Sequence, residues 1–383
     1  MFRCCGKPNT MNIRSRLIAI ILFFAFFFSL GGCANSHAAT PIVPAATTPT
    51  QKTPLVVFAA GSLITPFGDL EKAFEARYPD IDVLGEYHGS IQVIRHATEL
   101  HEPIDVVATA DATLIPMLMY ATDDPQTGQP YANWYLRFAT NHLALAYQPD
   151  SLYADKITAE NWPAILARPD VKIGLADPRF DASGYRALMA FSLEEERRKQ
   201  YNLFVPMFDG QVTSPVTIFR DEDLTTITVP EILETRAGSH ILVRGASIQL
   251  IALLQSGDLD YAFEYESVIQ QHGLEMLRLP DEVNLGEKNF SDFYKKVQVN
   301  LDFKRFATVK PQFRGEQIGY GITIPSSAPH PEEAALFIAF LLSPEGRAIM
   351  EKQYHPMFAT AQADGYDHLP AALKALSAPE ATP

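Results

Sequence analysis

Cysteine is scarce in this chain of 383 residues, which contains only three. Two of them, Cys4 and Cys5, precede a long apolar run near the start, and only Cys33 follows it. A single cysteine leaves no disulfide framework and no thiolate metal site for the rest of the chain. We therefore expect the folded part to depend on an ordinary apolar core, which a chain of this length can supply.

Positive charge is also in short supply, because 31 Lys and Arg residues stand against 45 Asp and Glu, a net charge of −14. This balance, without a basic cluster, argues against nucleic acid as a partner. The sequence lacks a Gly-x-Ser-x-Gly elbow, a P-loop and a His-Glu-x-x-His pair, and its ten histidines show no ligand spacing. We therefore expect a protein that is not an enzyme and has no cofactor, and keep a hydrolytic enzyme only as the weaker alternative.

The first 32 residues have the composition of a targeting segment. A basic stretch precedes the apolar run 17–28, which is too short for a comfortable membrane span, and small residues then lead to Cys33. The sequence Leu-Gly-Gly-Cys resembles a lipobox, which implies a signal peptide over 1–32 and a lipid attached to Cys33. Residues 33–54, rich in Ala, Thr and Pro, are predicted to be a flexible tether. We expect an extracytoplasmic protein, in the periplasm or at the cell surface, with its lipid in a membrane.

Two strand–turn–helix junctions carry a Gly-Ser pair. An apolar strand is followed by Gly61 and Ser62, and a second strand by Gly89 and Ser90, before residues with helical spacing. Unpaired amides at a helix start favour an anion, as does the helix dipole. Each serine alone would more often simply cap its helix, but two such starts could face one small anion.

Three further junctions have the same small or polar character. Asp181 precedes a helix, where the common role of an aspartate is that of an N-cap. Ser247 opens another helix, and Tyr265 lies at the end of a strand. Glu264 is expected to be a structural partner within that strand.

Strands that alternate with helices predict an α/β fold whose mostly parallel sheets bind ligands outside the carboxyl ends of their strands. Two chain crossings predict two lobes with a hinged cleft between them. Lobe I is predicted over 55–138 plus 317–362 and lobe II over 139–316, with a β-rich excursion at 205–240. Residues 363–383 are predicted to be a loose tail.

Several motifs together resemble the tungstate/molybdate-binding proteins of the ModA/WtpA type. They include Ala60-Gly-Ser-Leu63, Phe138-Ala-Thr-Asn141, Gly184-Tyr-Arg-Ala-Leu-Met189, Leu259-Asp-Tyr-Ala-Phe-Glu-Tyr265 and Gly321-Ile-Thr-Ile-Pro325. The resemblance runs in order from about Leu55 to about Lys352. It implies a two-lobed type II periplasmic binding fold with two crossover strands. It also implies a monomeric receptor of an ABC importer, which delivers an inorganic oxyanion to its permease.

The resemblance also implies which residues contact the oxyanion, and these are Gly61, Ser62, Ser90, Asp181 and Tyr265. One departure matters: Ser247 stands where the family has a glutamate, 18 residues before the strand-end tyrosine. In archaeal relatives that glutamate and the aspartate extend the metal's coordination toward six oxygens. With Ser247 here, we expect a tetrahedral anion held by hydroxyls, and Asp181 stays a candidate extra oxygen ligand to Mo or W.

Other ligands remain open at this point. Sulfate would need the same fixed donors, whereas phosphate would need an acceptor for its P–OH proton, which Asp181 supplies only if it points inward. An organic solute would require an aromatic or Arg-lined pocket. The sequence does not separate molybdate from tungstate.

Overall fold

Residues 52–302 and 311–380 are described by a computed structural model of the protein. They all belong to one unit, Thr50–Pro383. The predicted signal peptide, the predicted lipidation site Cys33 and most of the predicted tether lie outside the described residues. Within the described ranges, no helix is both long and apolar enough to cross a membrane.

The strands of the described residues are β1 Thr53–Ala60, β2 Ile81–His88, β3 Val106–Thr109, β4 Tyr135–Ala139, β5 Leu143–Tyr147, β6 Ile173–Ala176, β7 Thr217–Arg220, β8 Thr225–Val229, β9 Ile241–Arg244, β10 Tyr261–Tyr265, β11 Glu275–Arg278, β12 Val297–Leu301, β13 Gln312–Arg314, β14 Tyr320–Thr323, β15 Met357–Asp364 and β16 Ser377–Pro379. The α-helices are α1 Ile64–Arg77, α2 Ser90–Thr98, α3 Trp162–Leu166, α4 Ala182–Arg198, α5 Phe204–Phe208, α6 Ile248–Gln255, α7 Glu266–Gln271, α8 Ser291–Tyr294, α9 Pro331–Leu342, α10 Pro344–Lys352 and α11 Ala371–Lys374.

The strands form three mixed sheets. The first has the order β16-β15-β4-β14-β3-β1-β2, the second β11-β5-β10-β6-β9 and the third β13-β12-β8-β7. Strands β1, β2 and β3 are parallel, but β14 is antiparallel to both β3 and β4. Antiparallel pairs are therefore more frequent than the sequence predicted, because strands at the chain crossings enter a sheet without a returning helix. The chain leaves the first sheet after β4 and returns at β14.

The predicted excursion at 205–240 contributes a short helix, α5, and the hairpin of β7 and β8. This hairpin joins β12 and β13 to form the third sheet. The sequence was hard to interpret here because the partner strands come from residues about 70 positions further along the chain.

The carboxyl ends of the parallel strands lie level with one another. In the first sheet Ala60 of β1 pairs with His88 of β2, and in the second sheet Ala176 of β6 pairs with Arg244 of β9. Because β3 and β6 are buried at every residue, the strand ends are the places where the chain can present polar groups. The Gly-Ser turns and the turn before α4 all start at these ends.

The end of the chain corrects a prediction. Residues 363–380 are not a loose tail, because β15 continues to Asp364, α11 follows and β16 pairs in parallel with β15. Leu369 and Leu373 are buried, four residues apart, and so anchor a segment whose Ala- and Pro-rich composition resembles that of a disordered tail.

We predict that Leu373→Ala lowers the free energy of unfolding by about 2–5 kcal/mol, since it leaves a cavity under a fully buried side chain. The matched control is Leu336→Ala, because Leu336 is 40% exposed and the same truncation there should cost well under about 1 kcal/mol. Urea denaturation of both variants measures the difference. If Leu373→Ala lost as little unfolding free energy as Leu336→Ala, the segment after β15 would not pack on the fold.

Candidate functional site

The turns that follow strands of the first sheet are in backbone contact with those that follow strands of the second sheet. The carbonyl of Phe180, in the turn after β6, accepts a hydrogen bond from the amide of Ile91 in the first turn of α2 (3.0 Å). A Cβ on Gly89 would lie 2.4 Å from that carbonyl oxygen, and one on Gly61 would lie 2.9 Å from Cγ2 of Ile248. Glycine is therefore required at Gly89 for the two sets of turns to approach this closely.

Ser62 does not cap α1; its hydroxyl lies 2.9 Å from the hydroxyl of Tyr320. The amide oxygen of Asn141 accepts from the backbone amides of His142 (3.0 Å) and Ser267 (3.4 Å), so its NH2 group faces the Tyr320 oxygen (3.4 Å). Tyr320 therefore accepts from Asn141 and has its own hydrogen to give to Ser62, although either hydroxyl of that pair can be the donor. When Tyr320 is the donor, the hydrogen of Ser62 is free to point toward the junction.

Ser90 and Tyr265 are oriented in the same way. The Ser90 hydroxyl oxygen accepts from the backbone amide of Ala110 (2.9 Å), and the Tyr265 hydroxyl oxygen accepts from Nη1 of Arg186 (2.6 Å). An amide N–H and a guanidinium can only donate, so both hydroxyl hydrogens remain available. Burial raises the pKa of Tyr265 far above its ordinary value, opposed in part by the charge of Arg186. Tyr265 therefore keeps its proton.

Arg186 is a buried cation that links the two sheets. From α4 it donates to the carbonyl of Ala110 (2.8 Å), and its Nη2 lies 3.3 Å from Oδ2 of Asp111, in the turn after β3. The hydroxyl of Tyr185 donates to the same carboxylate oxygen. Arg186 thus holds Tyr265 and the peptide that supports Ser90 in one hydrogen-bonded group.

Asp181 has the common role of an N-cap. Its Oδ1 accepts from the amide of Ser183 (2.8 Å) at the start of α4, and its Oδ2 accepts from the amide of Ser247 (3.2 Å). Burial raises the pKa of Asp181, and the two amide donors oppose that rise. Both carboxylate oxygens are therefore engaged with the backbone.

Ser247 precedes α6, and its hydroxyl forms no cap to that helix. Glu264, expected to be a structural partner, is fully buried, and neither of its oxygens has a hydrogen-bond partner within the described part of the chain. That expectation is wrong, because the strand neighbours of Glu264 are apolar.

The structure brings all six predicted contact residues to the same junction between the sheets. It also adds residues that the sequence did not single out, namely Arg186, Tyr320 and Asn141, so the site is not built from hydroxyls and amides alone. Arg186 could have been found as the one charged residue in positions 182–193 of the helix that follows Asp181. Among residues 52–302 and 311–380, no group of three or more His, Cys, Asp or Glu side chains could hold a metal ion.

We predict that Arg186→Met lowers the free energy of unfolding by about 3–5 kcal/mol, because it leaves the buried carboxylate of Asp111 without its cation. Arg278→Met is the control, since Arg278 is 69% exposed and its pair with Glu266 should contribute no more than about 1 kcal/mol. Urea denaturation compares the two. Similar small losses would show that the link between the sheets does not contribute to stability.

Comparison with known proteins gives the family. The model of the family described as bacterial extracellular solute-binding proteins matches residues 55–354. The molybdate/tungstate-binding protein WtpA of Thermococcus kodakarensis is 34% identical over 346 residues, which cover 88% of this chain and 90% of the relative. An uncharacterized solute-binding protein of Petrotoga mobilis is 36% identical over 302 residues, covering 79% of this chain and 83% of the relative.

A solved structure supports the fold independently of these relatives. The periplasmic molybdate-binding protein of Azotobacter vinelandii superposes with a TM-score of 0.50 at 14% identity, over 79% of this chain and 98% of that one. At this identity the likeness shows the fold, and it confirms the predicted type II periplasmic binding architecture. The chain belongs to the bacterial extracellular solute-binding proteins, the non-enzymatic receptors that bind small solutes for ABC transporters.

Proposed function

We propose that this protein captures molybdate or tungstate at the junction between its first and second sheets and delivers it to an ABC permease. The observation that carries the proposal is the direction of the hydrogen bonds behind Ser90 and Tyr265. The oxygens of Ser90 and Tyr265 accept from groups that can only donate, so their hydrogens are left for a ligand, and Ser62 offers a third hydrogen when Tyr320 is the donor to it. Relatives named as molybdate/tungstate-binding proteins, at 34% and 36% identity, support the choice of anion.

A fully ionised tetrahedral oxyanion offers acceptors on every oxygen and no donor. Hydroxyl hydrogens with fixed directions, together with the oriented dipoles of the surrounding turns, replace its hydration shell without needing to reorient. Arg186 supports this field from behind Tyr265, since a buried guanidinium keeps its charge. Such a site favours anions that are stripped of all protons.

The same arrangement disfavours phosphate. Near neutral pH phosphate keeps a P–OH group, which requires an acceptor in the site. Asp181 is the carboxylate among the predicted contact residues. Both of its oxygens already accept hydrogen bonds from backbone amides. Sulfate has no such proton, so the distinction from sulfate must come from the size of the closed site.

We further propose that the anion is bound as a tetrahedron. Ser247 replaces the carboxylate that the family resemblance leads one to expect there, and Asp181 is engaged in capping α4. Hydroxyl groups then bind the oxygens of the anion, and its metal keeps its own four oxygens. Asp181 acts through the backbone amide of Ser247.

The cell-biological part of the proposal follows from the sequence. We propose cleavage before Cys33, lipid attachment there and an extracytoplasmic receptor on a tether up to about residue 54. We also propose two lobes, 55–138 with 317–362 and 139–316, hinged where the chain passes from β4 to β5 and where it returns at β14. The placement of β4 and β5 in different sheets supports this hinge.

The first prediction concerns ligand preference. Tungstate and molybdate should raise the melting temperature of the protein, since a ligand that binds only the native state stabilises it. Phosphate should give no shift at the same concentration, and sulfate a much smaller one. A thermal-shift panel followed by calorimetry measures this, and comparable affinities for sulfate and tungstate would contradict the proposed specificity.

The second prediction concerns the hydroxyls. Ser62→Ala and Ser90→Ala should each weaken tungstate binding by about 1.5–3 kcal/mol, the scale of a hydrogen bond to a charged group. Ser192→Ala is the matched control, because Ser192 is a buried serine of α4 whose hydroxyl has no partner among the described residues. Calorimetry should find its affinity unchanged. Losses of the same size in all three variants would remove the two turns from the binding site.

A further inference from the structure

The position of Glu264 follows from strand alternation and register. In β10, Tyr265 and Phe263 face α4, since Tyr265 meets Arg186 and the Phe263 ring packs on Phe191. Successive side chains of a strand point to opposite faces, so Glu264 points to the face that carries α6. Its neighbours on that face are apolar: Ala262 and Ala144 pack in one cluster with Leu250 and Leu254 of α6.

This carboxyl is an exception among the acidic residues that the structure describes. Glu264 is 0% exposed, and neither oxygen has a hydrogen-bond partner within the described residues. A buried unpaired carboxylate is costly, and proteins retain such a group mainly where it has a use. Glu264 also lies at the carboxyl end of β10, next to Tyr265, so it is directly beneath the junction between the sheets.

At this end of α6 the hydroxyl of Ser247 lowers the pKa of Glu264, although the two side chains form no hydrogen bond within the described residues. The hydroxyl of Ser247 does not cap α6, although its backbone amide is held by Asp181. Within the described residues no donor holds the Ser247 hydroxyl from behind, unlike the hydroxyls of Ser90 and Tyr265.

We propose that Glu264 is a positioning residue that carries a proton in the anion complex and thereby directs the hydroxyl of Ser247 toward the bound anion. With the proton in place, Glu264 donates to the Ser247 oxygen, and the Ser247 hydrogen is free for the ligand. With the proton lost, Ser247 instead donates to the carboxylate and presents a lone pair to the anion. The inference rests on the proposed function, because it concerns the same anion site.

The surroundings favour the protonated form. Burial raises the pKa of Glu264 to about 8, the Ser247 hydroxyl and the Tyr265 backbone lower it in part, and the charge of Asp181 raises it further. The charge of Glu264 also raises the pKa of Tyr320 in β14, which burial already raises, so Tyr320 stays neutral. The elements that pack against Glu264, α6 and β5, present apolar residues and Ser247. A neutral carboxyl therefore matches an anion site, as a charged one would repel the ligand.

The test is proton uptake on binding. Calorimetric titration of the wild-type protein with tungstate in two buffers of different ionisation enthalpy should show no net uptake at about pH 6 and close to one proton at about pH 9. The dissociation constant should rise about tenfold for each pH unit above about 8. In Glu264→Gln, whose amide can always donate to Ser247, the uptake and this pH dependence should both disappear. Asp181→Asn should retain the uptake, which separates the two buried carboxyls.

A double-mutant cycle tests the route through Ser247. At about pH 9, Glu264→Gln should strengthen tungstate binding about tenfold in the wild-type background, but by less than about threefold when Ser247 is alanine. An equal gain in both backgrounds would overturn the part assigned to Ser247. Tungstate binding without proton uptake, and with the same pH profile in Glu264→Gln, would overturn the inference and leave the proposed function intact.

A readout without ligand separates the inference from the proposed function. Because the folded-state pKa of Glu264 lies above its ordinary value of 4.5, its ionisation costs stability as pH rises from about 4.5 to about 8. The melting temperature of the free wild-type protein should therefore fall relative to Glu264→Gln over that range. No tungstate binding at any pH, with this stability difference present, would contradict the proposed function and with it the role in binding.

Discussion

The site depends on hydrogen bonds that hold hydroxyls at the junction of two sheets, and for Ser90 and Tyr265 the group behind the hydroxyl can only donate. The Ser90 hydroxyl accepts from a backbone amide and the Tyr265 hydroxyl from a guanidinium. The Ser62 hydroxyl bonds to Tyr320, which in turn accepts from the side chain of Asn141. A hydroxyl can donate or accept, so its behaviour toward a ligand is decided by the partner on its other side. The proposed selectivity for a fully ionised anion is a consequence of those partners.

The hydrogen bonds that orient the hydroxyls also join the first sheet to the second. Arg186 reaches from α4 to the turn after β3. Gly89 has no side chain, so the carbonyl of Phe180 can pack directly against it. Asn141 lies between β4 and β5, where the chain passes from one sheet to the other, and bonds to both Ser267 and Tyr320. The residues that orient the hydroxyls are therefore those that hold the sheets together. An arrangement of this kind couples closure to the completion of the site.

The sequence revealed the junctions but not the partners behind them. Ser62, Ser90 and Tyr265 could be predicted because a strand period changes to a helix period at each of these turns, a local property of the chain. Asn141 could not, since its partners Ser267 and Tyr320 lie 126 and 179 residues away. The roles of Ser62 and Asp181 illustrate the limit. Both serine and aspartate are common N-caps; Asp181 does cap its helix, by a local bond, whereas Ser62 bonds instead to Tyr320, far away in the chain.

The central claim is that oriented hydroxyls from both sheets bind the oxygens of one tetrahedral anion. A crystal structure of the protein with tungstate tests it most directly. The account predicts four oxygens around the metal and anion oxygens within about 2.6–3.2 Å of the hydroxyls of Ser62, Ser90 and Tyr265. A carboxylate oxygen of Asp181 bonded to the metal, or an anion bound away from these hydroxyls, would contradict it.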